Sequence, residues 1–532
     1  MTLTRRSFTA SAAFGLAGLV HAPAVFARRQ YDLVIRGGLL VDGTGAPGRL
    51  ADIAIDGDRI VQIADRITDR GDREIDARGK VVAPGFIDIH SHGDGSVDED
   101  PRLESVVRQG LTTIVVGADG DSESDLAAFF DRIDSLRPGA NLASMVGLGM
   151  VRGVEVGPMR QQATASQLEA MTERVAVALR AGACGASSGL EYTPGGFADT
   201  AELVALCRPL AGTGLCYATH MRNEDDRVLE SIAEAMTVAR GAGCALQISH
   251  LKMQGPRNWS KLDAAFAAID RANVEGLDVA FDRYPYVAYS TGLTSLFPIW
   301  SRDGGLSAML SRIDDPADGP RVKEAVLAKI ELIGGWDNVQ VTSVRGREDR
   351  DVEGQRLGTH AATKGMAPYD YTADLFRRNG ANIGMVGFAM SEDNLDRLFA
   401  HPRGMICSDG GAFAIDGPTR RGTPHPRGIG SFPRVLGRYV RERHAITLEQ
   451  AVHKMSGFPA ARCGIRDRGR LATGLAADVV VFDAGAVTDR ATFAEPYQYP
   501  TGITAVVVNG RVALDEQGAR GPGSGQSVRV VR

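Results

Sequence analysis

The sequence is poor in aromatic residues, in paired cysteines and in excess positive charge. Aromatic residues make up 6% of the 532 residues, and the formal net charge is −5. Without a basic excess the chain lacks the electrostatic footprint of nucleic-acid binding, so we expect no nucleic-acid partner. No two cysteines form a Cys-x-x-Cys pair, which argues against a zinc ribbon or a thioredoxin-like motif. We expect small buried side chains at all six positions, which are Cys184, Cys207, Cys216, Cys244, Cys407 and Cys463.

Long hydrophobic runs are also missing outside the first residues. No later segment reaches ~18 consecutive apolar residues, so we expect no membrane span in the mature protein. The N-terminus is different, because Arg5 and Arg6 precede Ser7 and an apolar stretch that extends to Val20, and small residues follow around Ala27. This order is typical of a secretory signal, and the twin arginine indicates the Tat route. We therefore predict a Tat-type signal peptide over residues 1–27 and a periplasmic or secreted protein.

The two ends of the remaining chain share a strand-rich pattern. Short β-rich segments broken by Gly and Asp turns occupy residues 31–58, and similar segments recur at 477–483 and 505–511. Neither set is large enough to form a stable sheet alone. We therefore predict a small β-sandwich domain that is built from residues 28–84 and 462–532.

Between these ends, strand-like apolar runs alternate with helical segments. The predicted helices are Ala163–Ala181 and Asp225–Gly241, and the strand-like runs lie at 112–116, 142–146, 215–219, 245–249 and 405–407. Alternation of this kind favours parallel strands with crossover helices. The sequence thus predicts an α/β fold, a (β/α)8 TIM-like barrel over residues 85–461. An irregular region with Asp-Gly and Asp-Pro breaks predicts an insertion around 292–380 near the barrel mouth.

Four histidines and one aspartate share one placement, because each follows the end of an apolar, strand-like run. They are His90, His92, His220, His250 and Asp409. The carboxyl ends of barrel strands form the active-site rim in this architecture. His90 and His92 are two residues apart, so their side chains point the same way and can bind one ion. Imidazole and carboxylate ligands suit Zn²⁺, and the set predicts a zinc site at the rim of the barrel.

The motifs around these residues resemble a known family. Pro84–His92 is similar to the opening metal motif of the amidohydrolase superfamily. More specifically, the chain from about Tyr31 onward resembles the D-aminoacylases (N-acyl-D-amino-acid deacylases). The matching segments are Ser188–Gly195, Ala218–Arg222, Ser249–Lys252, Tyr284–Tyr286, Ser408–Gly410, Pro424–Arg427 and Gly430–Gly437.

The resemblance implies a role for each matched residue. His220 and His250 would bind the tighter of one or two Zn²⁺ ions, and His90, His92 and Asp409 would surround the other position. Asp409 would also be the general base. The substrate carboxylate would be held by Lys252, Tyr284, Ser290 and Arg427, and Tyr192 is a further predicted substrate contact.

One position departs from the family pattern. Where the family has a cysteine ligand in a Gly-x-Cys-Gly context, this chain has Asp119 within Val116–Asp121. A carboxylate can bridge two metals and is a harder ligand than a thiolate, so we predict Asp119 as a metal ligand. The alternative is an ordinary turn residue before Gly120.

The predicted activity is hydrolysis of N-acyl-D-amino acids to a carboxylate and a free D-amino acid. The substrate is accordingly a small N-acylated amino acid or a dipeptide. Two alternatives stay open at this point. One is a dipeptidase or a cyclic-amide hydrolase of the dihydropyrimidinase or hydantoinase type, and the other is a non-catalytic exported barrel that binds a metal or a ligand.

Overall fold

The computed structural model describes residues 30–518, 521 and 523–531. The predicted Tat signal at residues 1–27 therefore lies outside the described residues. The strands are β1 (Gln30–Leu40), β2 (Arg49–Asp56), β3 (Arg59–Ala64), β4 (Arg70–Asp76), β5 (Val81–Pro84), β6 (Phe86–Asp88), β7 (Leu111–Val116), β8 (Asn141–Ser144), β9 (Val146–Gly147), β10 (Gly185–Gly189), β11 (Cys216–His220), β12 (Ala245–Ile248), β13 (Val279–Arg283), β14 (Ala288–Gly292), β15 (Val339–Ser343), β16 (Gly384–Phe388), β17 (Gly404–Ile406), β18 (Val479–Phe482), β19 (Ile503–Val508) and β20 (Arg511–Leu514). The α-helices are α1 (Asp94–Val97), α2 (Glu104–Arg108), α3 (Leu126–Leu136), α4 (Leu148–Glu155), α5 (Ala165–Ala181), α6 (Thr200–Cys207), α7 (Val228–Ala242), α8 (Leu262–Val274), α9 (Gly305–Asp314), α10 (Asp318–Leu332), α11 (Leu357–Thr363), α12 (Pro368–Asn379), α13 (Glu392–Ala400), α14 (Arg427–Arg434), α15 (Leu448–Met455) and α16 (Gly457–Arg462).

Strands from both chain ends form one eight-stranded sheet. Its order is β20-β19-β18-β5-β1-β2-β3, and β4 also pairs with β1. The first half of β1 pairs with β4 and its last residues pair with β5, and the pairing of β1 with β2 shifts register between Ile35 and Gly38. Alternate side chains of these strands, among them Leu33, Ile53 and Val481, are buried together in a separate core.

The middle of the chain forms the predicted barrel. Parallel strands run in the orders β6-β7-β8 and β9-β10-β11-β12-β13-β17, and β8 and β9 are separated by a single residue, Met145. Every residue of β7 is buried, as expected for a parallel strand that is covered on both faces. Backbone hydrogen bonds from Asp409 N–H to His90 C=O and from His92 N–H to Gly410 C=O, both 2.9 Å, join the segments after β6 and β17. The candidate site residues themselves therefore close the barrel.

An inserted unit follows β13. Strands β14, β16 and β15 form an antiparallel sheet in that order, and helices α9 to α12 pack with it around Phe297 and Phe376. The unit begins at Ala288 and ends at Phe388, so it extends beyond the predicted 292–380 at both ends. Its helix α10 brings Lys329 to the cavity described below.

Local sequence signals explain where the predicted helices begin and end. The capping box of Thr164 and Gln167 starts α5, and Gly182 ends it with a φ of 112°. Helix α7 likewise ends at Gly243, whose φ is 71°. All six cysteines are buried free thiols, as predicted. Among the described residues no helix has both the length and the apolar character that a bilayer span requires.

Candidate active site and metal centre

The predicted metal-binding residues meet at the carboxyl ends of the barrel strands. His90 and His92 follow β6, Asp119 follows β7, and His220 is the last residue of β11. The remaining two follow the ends of β12 and β17, and they are His250 and Asp409. These side chains converge because each one lies at or just after the carboxyl end of a barrel strand, as the sequence predicts. Their individual roles as ligands stay predictions.

Asp119 lies at the centre of the four histidines. Its Oδ1 is 3.4 Å from His90 Nε2, and its Oδ2 is 3.7 Å from His92 Nε2. The same Oδ2 is 3.8 Å from His220 Nδ1 and 3.6 Å from His250 Nε2. Potential ligand atoms of His90, Asp119, His250 and Asp409 all lie within 4.8 Å of one another. This is the arrangement expected of a carboxylate shared by two metal positions.

Several buried polar atoms here have no hydrogen-bond partner among the described residues. They are His90 Nε2, Asp119 Oδ1 and His220 Nε2. A buried polar group without a partner costs about 1–3 kcal/mol. A divalent cation bound by imidazole nitrogens and carboxylate oxygens would give such lone pairs a partner. The residues present therefore fit a metal ion.

The backbone is unusual at three of the site residues. Asp119, His250 and Asp409 have φ values of 52°, 36° and 50°, in the left-handed region that residues other than Gly seldom adopt. Such conformations cost of order 1–3 kcal/mol each and cluster at functional sites. The positive φ lets each side chain turn from its strand end toward the common centre.

Two further buried carboxylates, Asp282 and Glu224, contact the histidines. Asp282 Oδ1 accepts the His250 backbone N–H at 2.8 Å and lies 3.5 Å from His90 Nδ1. Glu224 Oε1 lies 3.1 Å from His250 Nδ1. Carboxylates in this position orient metal-binding imidazoles and raise their basicity.

Lys252 has a partner that the sequence did not indicate. Its Nζ is 2.6 Å from both carboxylate oxygens of Glu224 and 2.7 Å from His250 Nδ1. Both side chains are buried. Lys252 lines the cavity, but its charge is largely neutralised by Glu224. Its predicted contact with a substrate carboxylate therefore has to compete with this ion pair.

Asp409 and Arg427 form a second buried ion pair. Arg427 Nη1 donates to Asp409 Oδ2 at 2.6 Å, and the guanidinium lies 4.8 Å from the centre of the Tyr284 ring. Burial alone would raise the pKa of Asp409, but the charges of Arg427, His250 and His90 outweigh it and hold that pKa well below its usual range. Asp409 is therefore ionised at neutral pH.

The carboxylates also change the titration of the histidines. Burial favours neutral imidazoles, but Asp119 and Asp409 overcome it and raise the pKa of His92 to about 9. For His220 the opposing carboxylates are Glu224, Asp119 and Glu191, and the pKa rises to about 10. At neutral pH protons thus balance the negative charge of the site, and a metal ion would have to displace them.

A cavity of about 580 Å³ opens above these groups. Tyr192, Tyr284 and Ser290, which are predicted substrate contacts, all line it. The Tyr192 hydroxyl is 3.2 Å from Thr291 Oγ1. The hydroxyls of Tyr284 and Tyr289 are buried and have no hydrogen-bond partner in the described part of the chain. Both side chains line the cavity, but their hydroxyl oxygens are enclosed by protein atoms.

Sequence reasoning missed several residues of the site. Asp282 follows the apolar residues Val279–Phe281 and so has the same strand-end signal as the histidines. Glu224 stands four residues after His220, which is a weaker signal. Tyr289 and Lys329 reach the cavity from the inserted unit, and nothing in their local sequence indicates this.

Comparisons with known proteins agree with this geometry. A family model described as "Amidohydrolase family" matches residues 397–514. An N-acyl-D-glutamate deacylase of Alcaligenes xylosoxydans xylosoxydans is 38% identical over 510 residues, which cover 91% of this chain and 93% of the relative. A D-aminoacylase of the same organism is 34% identical over 521 residues, which cover 94% of this chain and 97% of the relative.

Solved structures give the same result. An N-acyl-D-glutamate deacylase from Bordetella bronchiseptica, in complex with zinc and a phosphonate that mimics the tetrahedral intermediate, has a TM-score of 0.79 at 36% identity. The match covers 94% of this chain and 100% of that chain. A D-aminoacylase with a binuclear metal centre also has a TM-score of 0.79, at 33% identity over 94% of this chain and 99% of that one.

Hydantoinases are more distant. A D-hydantoinase from Bacillus sp. AR9 has a TM-score of 0.57 at 19% identity, covers 93% of this chain and 98% of its own, and shares the fold alone. The α/β barrel fold with an additional β domain, predicted from the sequence, is confirmed. The extent of identity with the deacylases shows that the chain belongs to the D-aminoacylase (N-acyl-D-amino-acid deacylase) family of the amidohydrolase superfamily.

Proposed function

We propose that this protein is a zinc-dependent amide hydrolase that converts N-acyl-D-amino acids to a carboxylate and a free D-amino acid. The observation that supports this most directly is the convergence of four histidines with Asp119 and Asp409, including buried nitrogen and oxygen atoms that accept or donate no hydrogen bond. The names of the similar proteins supply the substrate class and the D configuration.

One or two Zn²⁺ ions fit the site. His220, His250 and Asp119 would hold one position, and His90, His92 and Asp409 would surround the other, with Asp119 shared between them. When bound, zinc supplies Lewis acidity, which polarises the scissile carbonyl and lowers the pKa of a water molecule.

Asp409 is the proposed general base. Its ion pair with Arg427 keeps the carboxylate ionised and so able to accept a proton from the attacking water, and the same pair makes it a weaker base than an ordinary aspartate. The Asp409 carboxyl then donates this proton to the leaving amine as the C–N bond breaks. His92 Nε2 lies 3.2 Å from Asp409 Oδ1, so both groups face the same proposed metal position.

The amino-acid part of the substrate would lie in the 580 Å³ cavity. Its carboxylate can accept hydrogen bonds from Arg427, and Tyr284 and Ser290 line the same region. An arginine guanidinium has donors beyond the one that Asp409 accepts, so Arg427 can contact both carboxylates. These contacts would place the scissile amide beside Asp409.

The decisive experiment compares matched N-acetyl-D- and N-acetyl-L-amino acids on the purified protein, with metal content measured on the same sample. We expect release of a free D-amino acid and bound zinc. Activity on L-substrates alone would overturn the proposed specificity. Activity confined to dipeptides, hydantoins or dihydropyrimidines would favour the alternative hydrolases, and bound zinc without turnover would favour a binding protein.

The base assignment needs its own variant. Asp409→Asn should lower kcat by about 10²–10⁴-fold, the usual contribution of a general acid–base group. Thermal unfolding of the variant controls for misfolding, and its metal content controls for loss of a ligand. Full activity in the metal-loaded Asp409→Asn protein would contradict the assignment.

We also propose export by the Tat route to the periplasm. The support is the sequence Arg5-Arg6-Ser7-Phe8 with the apolar stretch and small residues that follow it. In cell fractionation, we expect the processed protein in the periplasmic or secreted fraction. The Arg5→Lys/Arg6→Lys variant should remain inside the cell as the longer precursor, and unchanged export of that variant would contradict the Tat route.

A further inference from the structure

A second, smaller cavity meets the first at the metal centre. Its volume is about 350 Å³, and it shares four lining residues with the larger cavity. The shared residues are His92, Ser290, Asp409 and Arg427. Two cavities thus extend from the residues beside which the scissile amide would lie.

The two cavities differ in charge. Apart from the shared residues and the metal-binding groups, the larger cavity is lined by several charged side chains, namely Asp121, Glu191, Glu224, Lys252 and Lys329. The smaller cavity is lined instead by uncharged residues, which include Thr342, Ser343, Phe413 and Pro424. Arg421 also contributes to its lining, but its side chain is 63% exposed and is paired with Glu99.

His425 forms an uncharged wall of the smaller cavity. Its Nε2–H donates to the Ala288 carbonyl at 3.0 Å, and its Nδ1 accepts the Arg427 backbone N–H at 3.0 Å. One donor and one acceptor define the neutral imidazole. The ring packs edge-on against Phe493 and Tyr286, at centroid distances of 4.9 and 5.1 Å. The wall is therefore rigid, aromatic and neutral.

We propose that the smaller cavity is the acyl subsite and that it selects neutral acyl groups longer than acetyl. An N-acyl amino acid has two arms that extend from its amide. The arm with the carboxylate suits the larger cavity, where polar side chains such as Tyr192, Tyr284 and Thr291 line the wall beside Arg427. The neutral acyl arm then lies between Phe413, His425 and Ser343. One water molecule takes up roughly 30 Å³ of the liquid, and a methyl group is of similar size. An acetyl methyl would therefore leave most of the 350 Å³ unfilled. This inference rests on the proposed deacylase function.

A substrate series of increasing acyl length tests the subsite. With one D-amino acid held constant, kcat/KM is measured for N-formyl, N-acetyl, N-butanoyl and N-hexanoyl derivatives. Burial of each added methylene should raise kcat/KM by up to about fourfold until the cavity is filled. The N-succinyl derivative, which matches butanoyl in chain length but ends in a carboxylate, should be the poorer substrate. Hydrolysis with no dependence on acyl length would overturn the proposal.

Two variants change the cavity in opposite directions. Ser343→Leu reduces its volume and should lower the hexanoyl-to-formyl ratio of kcat/KM at least tenfold. Phe413→Ala enlarges it and should move the preference toward longer acyl groups. The matched control is Ser295→Leu, which changes a residue that lines only the larger cavity and should leave the acyl-length ratio unchanged.

The outcomes separate this proposal from the function on which it rests. If no N-acyl-D-amino acid is hydrolysed, the deacylase function fails. If all are hydrolysed and neither Ser343→Leu nor Phe413→Ala changes the ratio, the function stands and the acyl subsite is wrong. The rate on the formyl substrate and the thermal unfolding midpoint show whether each variant is folded.

Discussion

Asp119 is the carboxylate that lies among all four histidines of the proposed metal centre. One oxygen faces His90, and the other faces His92, His220 and His250, so a single carboxylate contacts both proposed metal positions. A thiolate at this place would be a softer ligand. If Asp119 binds the metal, an aspartate in place of the cysteine implied by the family resemblance would keep an anionic ligand at this position and make it harder.

Asp119→Asn tests this role with little disturbance of the backbone, because asparagine also tolerates the left-handed conformation. We expect loss of at least one metal ion per chain and a decrease in kcat/KM of at least 100-fold. Asp119→Cys should retain metal, since a thiolate can serve as the shared ligand. Metal content by elemental analysis is the measurement. Full metal content and rate in Asp119→Asn would identify Asp119 as an ordinary turn residue.

Glu224 is a second buried carboxylate of the site, and it contacts Lys252 and His250. Both of its carboxylate oxygens accept from Lys252 Nζ at 2.6 Å, and its Oε1 lies 3.1 Å from His250 Nδ1. Removal of one member of a buried ion pair leaves the other charge uncompensated, which typically costs about 3–5 kcal/mol. Glu224→Gln should therefore lower the free energy of unfolding by an amount in this range, measured by denaturant titration.

The control for Glu224→Gln is the double variant Glu224→Gln/Lys252→Met. Removing both charges should recover most of the lost stability, because no unpaired ammonium then remains buried. If the two substitutions instead add their separate effects, the pair is not coupled in the way that the 2.6 Å contacts indicate.

The site residues differ in how far the sequence could predict them. His90, His220, His250 and Asp409 are recognisable because each is a metal-binding residue type at the end of a strand or within three residues after it. The same rule applied to β13 would have found Asp282. Glu224 lies in the turn after β11 and accepts from Lys252, and Lys329 reaches the cavity from a helix of the inserted unit. Contacts of this kind depend on tertiary packing, which a local pattern does not encode.

At the scale of elements, the barrel strands follow from buried apolar runs, and the predicted helices follow from caps and periodicity. The inserted unit is visible in the sequence only as a region where the alternation of strand-like and helical segments becomes irregular. Its three strands pair antiparallel across long separations in sequence, and β14 pairs with β16 some 95 residues later. Pairings over such distances are decided by which surfaces meet after folding.

Helix α15 carries a buried cation whose titration should affect stability. Lys454 Nζ donates to the carbonyls of His401 and Gly404, at 2.6 and 2.8 Å, and these two residues flank the start of β17. Burial lowers the pKa of Lys454 to about 8. The ordinary lysine value is about 10.4, so between these pH values the unfolded chain binds more protons than the folded one. Stability therefore rises with pH across this window.

The Lys454→Met variant isolates this contribution. Relative to the variant, the free energy of unfolding of the natural chain should increase by about 2 kcal/mol between pH 8 and pH 10. Denaturant titration at several pH values is the measurement, and other groups that titrate in this window cancel in the difference. Parallel pH profiles for the two proteins would show that Lys454 is not perturbed by burial.

At the scale of the whole molecule, the metal centre lies where the barrel closes. The segments after β6 and β17 contribute His90, His92 and Asp409, and their backbones are hydrogen-bonded to each other at this point. A metal ion held by these side chains would reinforce the contact between the first and last barrel strands. Binding to the folded state alone stabilises it by about 2.7 kcal/mol when the free metal is 100 times its Kd.

The protonation of the histidines predicts how metal uptake depends on pH. Without metal, the carboxylates raise the pKa of His92 to about 9 and that of His220 to about 10, so both imidazoles are protonated at pH 7. Metal binding requires neutral imidazoles, and each position must therefore release at least one proton. A lower pH favours the protonated form, so zinc affinity should fall by at least about tenfold per ion for each unit decrease between pH 8 and pH 6. Competition with a chelator measures the affinity, and a pH indicator in weak buffer measures the protons released. An affinity that does not change with pH, or uptake without proton release, would contradict the proposal that these histidines bind the metal.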